Sequence, residues 1–146
     1  MFQRLRLTAS TTAALISFAC AHGGPSHVDS TSPDGRRIVT AEAIEQSGAR
    51  TAWEALQRTV PFFTFKDGNR GQPGAIEHRG RSSIVLHDQP MIIMDGVELN
   101  DFMPLGTIPA SDILEIEVLT GIDATTYYGT GATKGVIRIR TKGNPG

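Results

Sequence analysis

"MIIMDGVELNDFMPLGTIPASDILEIEVLTGIDATTYYGTGATKGVIRIRTK", residues 91–142, is the most informative stretch of the sequence for the fold. It contains three strand-like runs. The first, Met91–Val97, is a continuous apolar segment bounded by the turn dipeptide Asp95-Gly96, which is typical of a largely buried strand that ends in a tight turn. The second run, 113–119, and the third, 135–141, alternate apolar and charged residues. This period of two predicts two half-buried strands.

A short helix is predicted between the second and third runs. Asp123 stands near the start of the segment Gly121–Tyr128, where a carboxylate is favourable, and Gly129 is a typical C-terminal stop. A strand, a helix and a strand in succession usually place the two strands parallel, as neighbours or near neighbours. We therefore expect a parallel arrangement of these two strands.

Two more helices are predicted upstream of this stretch. After a short strand at 38–40, Thr40 caps a helix over Ala41–Ser47 that Gly48 ends. Thr51 and Glu54 have the spacing of a capping box, which opens a second helix that stops before Pro61. On the second helix Trp53, Leu56 and Val60 share one face, which is the spacing of core residues.

The segment between these helices and the first run predicts a hairpin. Residues 75–86 form a strand in which Gly80 marks a bulge or bend, and it returns through 87–90 to pair with the Met91 strand. Before it, three phenylalanines follow the second helix, and they either fill the gap between sheet and helices or form an exposed contact patch. These are Phe62, Phe63 and Phe65.

Three ordered segments carry a family resemblance. "PMIIMDGVELND", "IPASDILEIEVLTG" and "DATTYYGTGATKGVIRIRTK" resemble the plug domain of TonB-dependent outer-membrane receptors in motif, order and spacing. Upstream, "IVTAEAIEQSGARTAWEALQRTVP" and "IEHRGRSS" are similar to the plug's opening strand and helices and to its Arg-Gly segment. The resemblance covers Arg36–Lys142 and implies an α+β fold, with a small mixed β-sheet and short helices.

The resemblance also implies candidate contact residues. In those receptors the plug fills a barrel, contributes to substrate binding with its apical loops, and is rearranged by the TonB protein through an N-terminal box. Carried over, the loops 66–74 and 99–105 become candidates for ligand or partner contact. "RRIVTAE" aligns with the plug's first strand rather than with a TonB box. The candidate residues are Lys66, Asp67, Asn69, Arg70, Asn100, Asp101 and Phe102.

The N-terminus reads as an export signal. Arg4 and Arg6 precede an apolar run that is too short for a membrane-spanning helix of about 20 residues. The ending "LISFAC" resembles a lipoprotein signal in which Cys20 becomes the lipid-bearing residue, and ordinary cleavage after Ala21 is the alternative. We thus expect a signal peptide at 1–20, a flexible tether at 21–35 rich in Gly, Ser, Pro and Asp, and a plug-like domain at 36–143.

Charge and motifs argue against several function classes. The formal net charge is −1, and removing Arg4 and Arg6 with the signal makes it −3, which is no nucleic-acid footprint. We expect Arg138, Arg140 and Lys142 to form a solvated strand surface.

Catalytic, cofactor and metal sites are not expected either. "GTGATKG" lacks the P-loop spacing, and no G-x-S-x-G elbow is present. His22 and His27 have no cluster of ligands around them. We predict no catalytic residue, no cofactor and no metal.

The prediction for function is a non-enzymatic binding or interaction module of the bacterial cell envelope, associated with outer-membrane transport. Its expected partner is an outer-membrane barrel or another envelope protein, since the chain is expected to be too short to hold a receptor barrel itself. The expected location is the outer membrane, through a lipid on Cys20 facing the periplasm, or the soluble periplasm. A periplasmic small-ligand carrier or sensor, and a barrel-less remnant of a receptor, are the alternatives.

Overall fold

The computed structural model describes residues 30–31, 36–79 and 89–144. The predicted signal with Cys20, the histidines at 22 and 27, and the predicted bend at Gly80 lie outside these residues. The strands are β1 Ser30–Thr31, β2 Arg36–Thr40, β3 Phe63–Asp67, β4 Pro73–His78, β5 Met91–Met94, β6 Val97–Leu99, β7 Ile113–Leu119 and β8 Val136–Thr141. The α-helices are α1 Ala41–Gln46, α2 Ala52–Thr59 and α3 Gly121–Tyr128, and short 3-10 turns lie at Asn69–Gly71, Met103–Gly106, Ala110–Asp112 and Thr130–Ala132.

Six of these strands form one mixed sheet in the order β1-β2-β7-β8-β5-β6. Among the described strands of this sheet, β5 and β8 run parallel and every other neighbouring pair runs antiparallel. The remaining strands, β3 and β4, form a separate antiparallel pair. The predicted α+β architecture with a small mixed sheet is confirmed.

The two upstream helices begin at the predicted caps. Thr40 Oγ1 accepts a hydrogen bond from the backbone N–H of Ala43, and Thr51 Oγ1 accepts one from the N–H of Glu54 at 3.2 Å. The Glu54 carboxylate reaches one residue further back than in a standard capping box, to the N–H of Arg50 at 3.0 Å. Both helices therefore start where side chains satisfy their free backbone donors.

The main hydrophobic core lies between α1, α2 and the first face of the sheet. Trp53, Leu56 and Val60 are buried, as the helical spacing predicts. Opposite them, the apolar residues of alternate strand positions are fully buried, and each contributes about 1.5–3 kcal/mol to folding. These are Ile92, Ile116, Val118, Ile137 and Ile139.

A smaller core lies on the second face of the sheet, under α3. Ala124 of that helix packs with Leu119 and Val136, together with Ile93 and Ala132. The prediction of a half-buried strand at 113–119 is therefore wrong. The alternating pattern assigned the Glu117 face of β7 to solvent, but α3 covers the C-terminal end of that face. Glu117 itself is only 3% exposed.

The strands β7 and β8 are antiparallel neighbours, which corrects the parallel arrangement expected from the sequence. The helix between them has the predicted bounds, but its eight residues span only about 12 Å. A parallel crossover would have to carry the chain back along the whole of β7. Instead Gly129, with φ 76°, ends the helix and β8 starts beside the end of β7, with Val136 opposite Leu119.

The predicted hairpin between residues 75–86 and the Met91 strand is also wrong. The described part of that segment belongs to β4 and pairs with β3, with Phe65 opposite Ile76. The strand β5 already has β6 on one side and β8 on the other. Both of its backbone edges are therefore occupied.

The Asp95-Gly96 turn is where the sequence places it, but it joins two strands. Asp95 has φ 48° and Gly96 has φ 85°, the pair of positive values that a two-residue type I′ hairpin requires. Val97 therefore opens β6 instead of ending the Met91 strand. Upstream, Ser30 and Thr31 pair with β2, so the sheet begins within the stretch predicted as tether.

Candidate functional site

The two predicted contact loops, 66–74 and 99–105, lie side by side at α2 and are called the paired loops below. Trp53, on α2, is 3% exposed and joins them. The Phe102 ring stacks on the indole with the centroids 6.5 Å apart, and Phe65 meets it edge-on at 5.4 Å. This aromatic cluster places both loops against one rigid helix. Of the three phenylalanines, Phe63 is buried and Phe65 is partly buried against the core, as the gap-filling alternative predicts, while Phe62 is 39% exposed.

Asp67 fixes the first of the paired loops. Its Oδ1 accepts a hydrogen bond from Trp53 Nε1 at 2.7 Å and another from Gln57 Nε2 at 2.9 Å. The neighbouring Lys66 pairs with Glu77 across the β3–β4 ladder, with an N–O distance of 2.7 Å. Asp67 and Phe102 therefore position the loops, and the carboxylate of Asp67 is already engaged.

The tips of the paired loops carry the exposed candidates. Asn69, Arg70, Asn100 and Asp101 are all exposed. Arg70 has φ 68°, in the left-handed region that non-glycine residues rarely adopt. Asp101 Oδ1 accepts a hydrogen bond from the N–H of Met103 at 3.0 Å, which shapes the second loop. These four side chains are the ones placed to meet a ligand or partner.

A second feature, not predicted from the sequence, is a charged strip on the second face of the sheet. It is called the charged face and comprises Arg36, Glu115, Glu117, Arg138 and Arg140. Glu117 is buried and forms ion pairs with both Arg36 and Arg138. Arg140 pairs with Glu115 at 2.7 Å. A buried carboxylate is tolerated only when it is paired in this way.

The charged face corrects the expectation that Arg138 and Arg140 lie on a solvated surface. Their side chains are 31% and 33% exposed, because each lies directly opposite a glutamate of β7. The signal was present in the sequence, since the glutamates of one strand and the arginines of the next alternate at the same period. It became readable only with the antiparallel register that places Glu117 opposite Arg138 and Glu115 opposite Arg140.

Two acids with lowered pKa values belong to helix starts. The hydrogen bond from the backbone N–H of Arg50 lowers the pKa of Glu54 below its usual value. The side-chain hydrogen bond with Thr40 does the same for the pKa of Glu42. Both carboxylates stabilise the first turns of their helices, where negative charge is favourable. Neither lies in the paired loops or on the charged face.

In the part of the chain that the structure describes, no group of three or more His, Cys, Asp or Glu side chains is placed to hold a metal ion.

Within the described ranges, none of the helices has the length and apolar character needed to cross a membrane.

Comparison with known proteins identifies the family. The sequence model of the TonB-dependent receptor plug domain matches residues 29–136. This chain belongs to that family. The vitamin B12 transporter BtuB of Vibrio vulnificus is 36% identical over 108 residues, which cover 71% of this chain and 17% of the transporter. The predicted resemblance of residues 36–142 to the TonB-dependent receptor plug domain is therefore confirmed.

Solved structures contain the same fold. The RagAB peptide importer in its open-open state matches with a TM-score of 0.59 at 26% identity, covering 75% of this chain and 12% of that one. The siderophore receptor PirA from Acinetobacter baumannii matches with a TM-score of 0.55 at 28% identity, covering 74% of this chain and 17% of the receptor. This plug domain chain thus spans less than a fifth of the length of these relatives. These relatives are a transporter, an importer and a receptor.

Proposed function

We propose that this chain is a non-enzymatic plug module of outer-membrane uptake, which docks with a barrel partner through its paired loops. The observation that carries the proposal is the convergence of both loops on Trp53. A buried indole, one stacked and one edge-on phenylalanine ring, and the hydrogen bond to Asp67 hold the loops in one geometry. Loops held on a rigid scaffold are the usual carriers of binding residues.

The loop tips supply the proposed contacts. Asn69 and Asn100 offer amide donors and acceptors, while Arg70 and Asp101 offer opposite charges, so the surface suits a polar partner. Family membership supports a role in uptake, since plug domains belong to TonB-dependent receptors. The proposed barrel partner is either a separate protein or another part of the same polypeptide.

Anchorage is proposed on the sequence alone. Residues 1–20 would act as a lipoprotein signal, with Cys20 carrying the lipid and the domain facing the periplasm. Metabolic labelling with a radioactive fatty acid tests this, using Cys20→Ala as the matched variant. Label on the wild type but not on the variant supports anchorage. Equal absence of label, with a mature N-terminus after Ala21, supports the soluble alternative.

Co-purification tests the docking proposal. The tagged chain is isolated from detergent-solubilised envelopes and compared with a loop variant carrying Asn69→Ala, Arg70→Ala, Asn100→Ala and Asp101→Ala. A matched surface variant, Glu42→Ala with Gln46→Ala on α1, serves as the control. We expect an outer-membrane barrel protein with the wild type and the control, and its loss with the loop variant. Recovery of no barrel by any of the three, with all folded by circular dichroism, would overturn the proposal.

A further inference from the structure

A groove on the second face of the sheet has the size of a small-molecule site. Its volume is about 570 Å³, within the range of about 300–1,000 Å³ that such sites occupy. Met91 and Ile93 form an apolar floor, and Tyr128 of α3 lines the groove beside them. The groove lies on the opposite face of the sheet from the main core, so it is separate from the paired loops.

One end of the groove has an excess of positive charge. Arg138 lines it and shares the carboxylate of Glu117 with Arg36, so two guanidinium groups meet one buried acid. Arg138 also lines an adjoining cavity of about 180 Å³, together with Arg36. The Arg138 side chain is 31% exposed, so part of it remains accessible from the groove. This end can therefore take a further negative group.

The other end of the groove carries an acid. Glu98 lines it from β6, is exposed, and makes no ion pair with any residue that the structure describes. Asp95 also lines this end, but its two carboxylate oxygens accept hydrogen bonds from Thr141. Glu98 is thus the acid available to a positive group.

The register of the sheet sets the distance between the two ends. Ile93 lies opposite Arg138 on one side and opposite Glu98 on the other. Since neighbouring strands are about 4.8 Å apart, the backbones of Arg138 and Glu98 are separated by about 10 Å, with the apolar side chain of Ile93 between them. Side chains of one face of a sheet project in the same direction, so the two charges border one groove.

We propose that this groove binds a short zwitterionic ligand with an apolar body, of the class of apolar tripeptides with free termini. An extended tripeptide is about 10 Å long, which matches the separation of the Arg138 and Glu98 backbones across the groove. Its carboxylate would lie at Arg138, its ammonium group at Glu98, and its apolar side chain on Met91 and Ile93. Charge-assisted hydrogen bonds at both ends would fix its direction. The inference goes beyond the proposed function, because it concerns the other face of the sheet and requires no barrel.

The test is calorimetric titration of the full chain with the tripeptide Ala-Leu-Ala, its N-acetylated form and its C-amidated form. We expect saturable binding of the free peptide and about tenfold weaker binding of each blocked form. Glu98→Gln should weaken binding of the free peptide about tenfold. It should leave the affinity for the N-acetylated peptide unchanged, because that peptide already lacks the ammonium group that Glu98 would bind. The control Glu42→Gln, on α1 at the first face, should bind all three peptides as the wild type does.

Arg138→Gln should weaken binding of the free peptide and leave the affinity for the C-amidated peptide unchanged. Arg138→Gln also removes a partner of the buried Glu117. An unchanged affinity for the C-amidated peptide therefore shows that the groove of this variant is intact. Equal affinity for the three peptides, an unchanged affinity in Glu98→Gln, or an absence of saturable binding would overturn the proposal. None of these outcomes bears on co-purification with a barrel, so the two proposals fail separately.

Discussion

Asp95 and Thr141 are 46 residues apart in sequence and are joined by two hydrogen bonds of 2.8 Å. The Asp95 carboxylate accepts one from the backbone N–H of Thr141 and one from its hydroxyl. The turn of the β5–β6 hairpin is thereby tied to the end of β8, next to the parallel pairing of β5 with β8. The "DGV" and "RTK" segments, which looked like separate motifs in the sequence, form one structural unit.

Replacing Asp95 tests this link. Asn tolerates the left-handed backbone of the turn but can satisfy only one of the two Thr141 donors, so we expect Asp95→Asn to lower the free energy of unfolding by about 1–2 kcal/mol. Urea denaturation measures the change. Asp101→Asn, an exposed aspartate with one local hydrogen bond, is the control and should change stability by less than about 0.5 kcal/mol. Equal effects at both positions would show that the link is not stabilising.

The ion pairs of the charged face predict a coupling energy. Glu117→Gln should destabilise the domain by about 2 kcal/mol, below the roughly 3–5 kcal/mol of a fully buried pair, because Arg36 and Arg138 are partly exposed and can be rehydrated. Arg138→Gln should recover part of that loss when both changes are combined. A double-mutant cycle by urea denaturation gives the coupling. Strict additivity of the two single changes would contradict a direct ion pair between them.

The link between Trp53 and Asp67 predicts a spectroscopic change. Trp53 is the only tryptophan of the chain, so its fluorescence reports directly on the paired loops. Asp67→Ala removes the acceptor of a buried indole N–H, and we expect a red-shifted emission and a loss of about 1–3 kcal/mol in stability. Lys66→Ala, which removes only an exposed ion pair, is the control and should leave the emission unchanged. A red shift in the control alone would contradict the assignment.

Glu54 predicts a pH dependence. The Arg50 N–H lowers its pKa in the folded protein below the usual 4.5, so its contribution to stability is present above that value and is lost as the pH falls through the folded pKa. The stability advantage of the wild type over Glu54→Gln should therefore be largest near neutrality and shrink in acid. Chemical denaturation from about pH 7 to about pH 3 measures it. A constant difference over that range would rule out the charge of Glu54 as the cause.

Local patterns predicted the elements well. The helix Gly121–Tyr128 has the predicted bounds because a positive-φ glycine, Gly129, ends it. The helix starts at Thr40 and Thr51 depend on side-chain caps that the sequence displays directly. The buried faces of β7 and β8, which contain Ile116 and Ile137, could be predicted from the alternating pattern because these faces pack on the main core. Each of these features depends on contacts within a few residues or on a simple period.

Non-local pairing was predicted poorly. The directions of β7 and β8 depend on how far α3 carries the chain, and the partner of residues 75–78 depends on which edges of β5 are free. The paired loops were assigned from family resemblance, and their convergence on Trp53 requires three distant segments to be placed. The charged face was invisible until the register put Glu117 opposite Arg138. Such relations are set by tertiary packing rather than by local sequence.

Site-specific photo-crosslinking in living cells tests whether the paired loops contact an outer-membrane barrel. A photoreactive amino acid replaces Asn69 or Asn100 at the tips of the paired loops, and adducts are identified by mass spectrometry. A second chain carries the same probe together with Leu56→Asp, which disrupts the core under the loops. We expect an adduct with an outer-membrane barrel protein from both loop positions and none from the core-disrupted chain. Irradiation that yields no barrel adduct from either position in the folded chain would contradict it.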